Sequence, residues 1–214
     1  MQGESFVKDT GWIAATEFVR HPSMVGSAFP ASARMVRRML APLDWSHIEV
    51  LVEYGPGSGR FTFEMLRRMR PDAQLIAIET SQAFAAKLRE KCDDPRLVVV
   101  EGSARDVRRN IGAETCGRAD CILTGLPFST LGETEADIIM HETALALKPT
   151  GVLAAYQMRT AIRRLIDRNF AQVRKGFEWC NIPPCHLYWA ANPLKGSETG
   201  GRFDSAKNDP ERVS

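Results

Sequence analysis

Apolar residues along this chain come in two rhythms. Short continuous runs recur at Val50 to Val52, Leu75 to Ile78, Leu97 to Val100, Ala119 to Thr124 and Val152 to Tyr156. Each is too short for a core helix and lacks a polar face, the pattern of a strand buried on both sides in a parallel sheet. Between the runs the period lengthens to that of a helix. One helix starts around Phe61, and Ser81 is placed to cap another that ends near Lys91. Thr134 is placed to cap a third, whose apolar face is Ala136, Ile139, Met140, Thr143, Ala144 and Leu147, with Pro149 and Gly151 as its stop. This alternation predicts a doubly wound α/β sheet. After a basic helix, Phe170 to Trp179 and His186 to Ala190 read as two further strands. Asn181-Ile182-Pro183-Pro184 between them is too short for a crossover helix, so the pair is predicted to be an antiparallel hairpin. The expected sheet thus has seven strands, mostly parallel, and ends in a C-terminal antiparallel hairpin.

Ahead of the sheet, Ala31 to Leu40 is predicted helical. Ala33, Val36 and Leu40 fall on one side, Arg34, Arg37 and Arg38 elsewhere, and Met35 and Met39 at the boundary. Such a helix either lies in a bilayer interface with its arginines on phosphates, or packs its apolar face inward as a lid.

The 214 residues, 44% hydrophobic and 25% charged, suit one globular fold with a sizeable core. Residues 1–48 are expected to form an N-terminal helical lid or membrane-contact segment, 49–194 the α/β domain, and 195–214 a flexible tail rich in Gly, Ser and charge. No apolar run approaches the roughly 20 residues of a membrane span. Met1 to Thr10 is polar, without the apolar core of a signal peptide, so the expected location is cytoplasmic. The 5 cysteines are irregularly spaced, which argues against a disulfide framework. Cys180, Cys185 and His186 lack a second ligand pair, so no metal is expected. Net charge is only +2, yet arginines cluster at 34/37/38, 67/68/70, 105/108/109 and 163/164/168. These are either solvated helix faces or a surface for phosphates.

The first strand ends in Glu53-Tyr54-Gly55-Pro56-Gly57-Ser58-Gly59-Arg60. Alternate glycines after an apolar run read as a sharp strand-to-helix turn around a ligand. A dinucleotide fingerprint would need glycine where Arg60 stands. The form present resembles motif I of class I S-adenosylmethionine (AdoMet) methyltransferases, whose fold is a Rossmann-like seven-stranded sheet with a C-terminal antiparallel hairpin. That resemblance implies AdoMet as cofactor and S-adenosyl-L-homocysteine as product. In open α/β sheets ligands bind outside the carboxyl ends of the strands. Glu53 stands where a carboxylate meets the ammonium of the methionine moiety. Glu79 closes the second strand about two dozen residues after the glycines, near where an acid binds ribose hydroxyls in related folds. Gly102, Ser103 and Ala104 close the third. Methyltransferases of this class often have aspartate where Ser103 stands; serine is a weaker partner for the adenine amino group, with Asp106 nearby as a substitute, and Ser103 equally fits a plain helix cap. Tyr54, Thr80, Thr124, Gly125 and Leu126 complete the cofactor-binding candidates.

Gly125-Leu126-Pro127-Phe128 resembles the N-L-P-Y/F type of motif IV in methyltransferases acting on nitrogen. Its carbonyls would point at the substrate amine, and Phe128 would offer a face to cationic nitrogen. Phe18 to Ser32 further resembles the N-terminal signature of bacterial phospholipid N-methyltransferases, and Glu53 to Gly59, Gly125 to Phe128 and Asn181 to Pro184 follow in that family's order. The resemblance implies stepwise methylation of phosphatidylethanolamine to phosphatidylcholine at the inner face of the cell membrane, with an anionic membrane surface as partner. Ornithine lipid is an alternative acceptor. So is adenine of rRNA, because the family is related to the rRNA adenine dimethyltransferases; those carry an additional helical domain for which this chain leaves no room after Ala191, so no nucleic acid is expected. A non-enzymatic alternative is an AdoMet-binding membrane-surface protein. Candidate bases are Tyr54, His141 and Tyr188, with no choice among them and no base strictly required.

Overall fold

The computed structural model describes residues 31–194. The expectations placed on Phe18 to Pro30 and on the tail from Lys195 lie outside the described residues. Strands β1 (Val50–Tyr54), β2 (Gln74–Glu79), β3 (Leu97–Glu101), β4 (Ala119–Thr124), β5 (Leu147–Gln157), β6 (Phe170–Glu178) and β7 (Cys185–Pro193) form one 7-stranded sheet. Its order is β3-β2-β1-β4-β5-β7-β6. Strands β1 to β5 pair in parallel, and β7 runs antiparallel to both β5 and β6, so the predicted C-terminal hairpin is present. Helices α1 (Ala33–Leu40), α2 (Arg60–Arg68), α3 (Gln82–Lys91), α4 (Val107–Ile111), α5 (Glu133–Ala146) and α6 (Ile162–Asn169) connect or flank the strands.

Each apolar run serves two cores. Val52, Ile76, Ile122 and Leu153 join one cluster with residues of α4, α5 and α6. Leu51, Leu75, Cys121, Leu123 and Ala154 join another with residues of α1 and α2. Side chains alternate across a strand, so a run that must be apolar on both faces shows no alternation in sequence.

Three local expectations are corrected. Thr134 does not cap α5: the helix starts at Glu133 with Gly132 in the capping position and no side-chain cap bond. Glu133 and Glu135 in the first turn favour the positive end of the helix dipole instead. Strand β5 begins at Leu147, directly after the helix, and the stretch through Pro149 and Gly151 leaves register between the Ala119–Leu147 and Cys121–Val152 pairs. On α1, capped by Ser32, the buried face is Met35, Val36, Met39 and Leu40, while Ala33 is exposed. This face packs on the sheet, where the Trp189 indole donates to the Met39 carbonyl at 2.9 Å.

Most clustered arginines are held by acids of this chain. Arg67 and Arg68 share Glu64, Arg70 pairs with Asp72, Arg108 with Glu142, Arg109 with Asp106, Arg163 with Asp167 and Arg168 with Asp137. Arg34 and Arg38 both reach the buried carboxylate of Glu178, at 3.2 and 3.3 Å. Arg37 has no carboxylate partner among the described residues.

Candidate active site

β1 lies between β2 and β4, and the chain leaves it in opposite directions on the two sides. A crevice therefore opens at the carboxyl ends of β1 and β4. The glycine-rich turn lies there, with φ of +64° at Gly55, +52° at Gly57 and +82° at Gly59, a region that side chains rarely adopt. A β-carbon on Gly59 would also stand 2.7 Å from the Phe63 ring. One on Gly55 would touch Leu126 at 3.5 Å, so the turns after β1 and β4 meet over the crevice.

Glu79 is not a solvated strand-end charge. It is 7% exposed, and its carboxylate accepts from the Gly57 N–H at 3.1 Å and the Ser81 N–H at 3.0 Å. Thr80 adds a further bond. Burial raises its pKa and these donors oppose the rise.

Glu53 is 3% exposed and receives a hydrogen bond from Thr62 Oγ1 at 2.6 Å. Burial pushes its pKa up to about 8, Thr62 opposes, and Glu79 adds a small further rise. No cation pairs with Glu53 among the described residues. A buried acid in this state becomes a stable carboxylate when a ligand cation arrives, which suits the ammonium of AdoMet. The pH dependence follows. Below its raised pKa Glu53 is mostly protonated, so AdoMet binding should displace a proton and affinity should rise as pH climbs from about 6 toward 8. Calorimetry in buffers of different ionisation heat measures that proton, and Glu53→Gln should remove both effects. A wild-type binding heat independent of buffer near neutral pH would place the ammonium elsewhere.

At the end of β3, Gly102 donates to the Glu79 carbonyl at 3.0 Å. The Ser103 hydroxyl accepts from the Arg105 N–H at 3.2 Å and so caps the short 3-10 turn Ala104–Asp106. Ala104 is buried, and Asp106 pairs with Arg109 at 3.3 Å.

The turn after β4 is tied down. Thr124 Oγ1 accepts from the Leu126 N–H at 3.2 Å. The Leu126 carbonyl accepts from the Phe128 N–H at 2.9 Å and from Gln157 Nε2 at 2.7 Å. The Pro127 carbonyl accepts from the Thr130 N–H at 2.8 Å and its hydroxyl at 2.9 Å. A β-carbon on Gly125 would lie 2.1 Å from the Tyr156 hydroxyl oxygen, so only glycine fits beneath that ring.

The structure does not gather the other acceptor-side candidates at this point. Phe128 is 4% exposed and packs in the core with Ala136 and Ile139. The Tyr54 hydroxyl sits 3.1 Å from Thr143 Oγ1 within that core, and Tyr188 belongs to the same cluster. His141 lies on the exposed side of α5. Beside Gly125 stand Tyr156, Gln157 and Asn181, which with Met35 and Pro127 line a cavity of about 40 Å³. Asn181 opens the Asn181 to Pro184 stretch already singled out in the sequence, whereas no motif marks Tyr156 or Gln157. For Tyr156 and Gln157 the available signal was position, at the carboxyl end of a parallel strand, where every cofactor candidate also falls.

A cavity of about 720 Å³ lies elsewhere, lined by Asp44, His47, Asp120, Lys148 and Trp189 among others. Asp120 there accepts from the Glu49 and Val50 N–H groups and pairs with Lys148. It sits at the amino ends of β1 and β4, opposite the glycine turn, where open α/β sheets do not place their ligand.

Residues 51–151 match the family model described as methyltransferase domain. An ornithine lipid N-methyltransferase of Singulisphaera acidiphila is 28% identical over 175 residues, 81% of this chain and 91% of that protein. The ribosomal RNA small subunit methyltransferase A of Leptothrix cholodnii is 30% identical over 104 residues, 49% of this chain and 36% of that protein. Among solved structures, the 1,6-didemethyltoxoflavin-N1-methyltransferase of Burkholderia thailandensis, with S-adenosylhomocysteine bound, superposes with TM-score 0.62 at 13% identity, covering 90% of this chain and 91% of that one. The family match begins in the strand that carries Glu53 and ends past the turn at Gly125, so residues 51–151 carry a methyltransferase domain of the class I kind, with S-adenosylmethionine as its cofactor.

Proposed function

We propose that this enzyme methylates the primary amine of a membrane lipid headgroup, with phosphatidylethanolamine toward phosphatidylcholine as the first assignment and an ornithine lipid as its nearest alternative. The observation that carries the lipid reading is the rim of the crevice. Trp179 is 75% exposed, Ile182 83% and Met158 39%; Met158 lines the Gly125–Tyr156 cavity, Ile182 sits between the lining residues Asn181 and Pro183, and Trp179 belongs to the same turn between β6 and β7. A water-soluble acceptor gives no reason to expose an indole and an isoleucine there; a bilayer does. The similarity to a lipid N-methyltransferase along nearly its whole length supports the same reading.

When bound, AdoMet supplies a methyl carbon on a sulfonium: the amine lone pair forms the N–C bond and the C–S electron pair stays on sulfur, so no acid is needed. The chain's own part is to hold, orient and dry the reactants. Glu53 holds the methionine end of the donor and Glu79 its ribose. Met35, Pro127 and Tyr156 make an apolar wall, and such a wall lowers the pKa of an amine so that its proton leaves to water. Burial raises the pKa of both Tyr54 and Tyr188, which favours a reaction without a tyrosinate base.

Membrane contact, at the inner face of the cell membrane, is assigned to this rim with Arg34, Arg37 and Arg38 beside it, because the apolar face of α1 is spent on the core. Among the described residues no helix is long and apolar enough to cross a membrane. The double variant Trp179→Ala, Ile182→Ala should lose roughly tenfold or more in binding to anionic vesicles while keeping AdoMet affinity. A variant that floats with such vesicles as well as the parent would move the contact elsewhere.

The activity test is incubation with labelled AdoMet and, in parallel, a mixed lipid extract and rRNA. Labelled mono-, di- or trimethylated phosphatidylethanolamine supports the first assignment and labelled ornithine lipid the alternative. Label in dimethyladenine with unlabelled lipids overturns the lipid reading in favour of the RNA enzyme that half the chain resembles.

A further inference from the structure

The turn expected to receive the acceptor nitrogen has few acceptors left to offer. A carbonyl oxygen has two lone pairs. Those of Leu126 are taken by Phe128 and Gln157, and those of Pro127 by the two donors of Thr130. Phe128 packs in the core and is not among the residues that line the Gly125–Tyr156 cavity. What stands at the turn instead is Tyr156. Its hydroxyl occupies the space a side chain at position 125 would need, and it makes no hydrogen bond among the described residues. Its ring is held flat against Phe61, with centroids 4.9 Å apart and planes 21° apart. Phe61 lies in the first turn of the helix that follows the glycine turn, so the stacked pair of rings links the donor side of the crevice to the acceptor side.

We infer that Tyr156 is the residue that receives the acceptor: its hydroxyl oxygen accepts an N–H of the amine and so fixes where the nitrogen lone pair points. The inference rests on the amine reading above and deepens it. Burial and the nearby Glu53 raise the hydroxyl pKa, so the group works as a neutral phenol and does not remove the substrate proton. A consequence separates this role from simple packing. Primary and secondary amines in their neutral form carry an N–H to be accepted; a neutral tertiary amine carries none. The hydroxyl therefore matters for the first two methylations and not for the third.

The test compares wild type with Tyr156→Phe, which keeps the ring and its stack on Phe61. The substrates are phosphatidylethanolamine and its mono- and dimethyl derivatives in mixed micelles, and AdoMet affinity is measured by calorimetry. The expected result is a loss of roughly tenfold or more in kcat on the first two lipids, little change on the third, unchanged AdoMet affinity and an unshifted pH profile. Equal losses on all three lipids, no loss on any, or a shifted basic limb would each overturn the role while leaving lipid methylation standing. A wild-type enzyme that methylates no amine would overturn the role and the function together.

Discussion

Glu79→Ala should weaken AdoMet binding by about two orders of magnitude or more. The carboxylate stands at the end of β2, where two hydroxyls of the ribose would each lose a charge-assisted hydrogen bond worth roughly 1.5–3 kcal/mol. The substitution also frees the Gly57 and Ser81 N–H groups that Glu79 now holds at 3.1 and 3.0 Å, so the glycine turn loses its brace. Glu79→Gln keeps one acceptor in place and should fall between the two. Calorimetry measures the affinity, with far-ultraviolet dichroism to verify folding. A folded Glu79→Ala protein with unchanged affinity would remove AdoMet from this end of the sheet.

Gly125→Ala should all but abolish methyl transfer and lower stability by about 1–3 kcal/mol. The added carbon would stand 2.1 Å from the Tyr156 hydroxyl oxygen and 2.2 Å from the ring carbon that bears it, so ring or turn must move. The collision is specific, which allows a double-mutant cycle. In a Tyr156→Ala background the same glycine substitution should cost little further stability. Melting temperatures of the four proteins report the coupling, and additive losses would mean that Gly125 is required for another reason.

The inner strands β1, β2 and β4 were legible because they are buried on both faces, and Val50 to Val52 or Leu75 to Ile78 has no other reason to be continuously apolar. The hairpin was legible because Asn181 to Pro184 is too short to cross over. The donor side of the crevice was readable because backbone conformation there demands glycine, and glycine at alternate positions shows in a sequence. The face of α1 was not. Two apolar arcs fit its ten-residue pattern about equally well, and the arc that is buried depends on what the sheet presents opposite, here Trp189 and Leu187. The cap at Thr134 failed for a local reason, since Gly132 already takes the capping position. Tyr156 escaped because its proposed role comes from a contact with a glycine in the turn after another strand, and nothing in its own neighbourhood of sequence records that contact.

The direction of β7 has a consequence for how such an enzyme changes over generations. Because β7 runs against β5, the turn from β6 to β7 emerges at the end of the sheet where the donor turns also lie. The residues proposed to grip the donor lie between Glu53 and Leu126, whereas the cavity proposed for the acceptor is bordered mainly by Met35 and by residues from Tyr156 to Cys185. The two specificities are written in separate stretches of chain that meet only in space. Mutation can lengthen, trim or recolour the Trp179–Pro184 turn without touching the residues proposed to hold the donor. A lineage built this way can exchange one headgroup for another, or a lipid for a soluble amine, while its grip on the methyl donor is inherited intact.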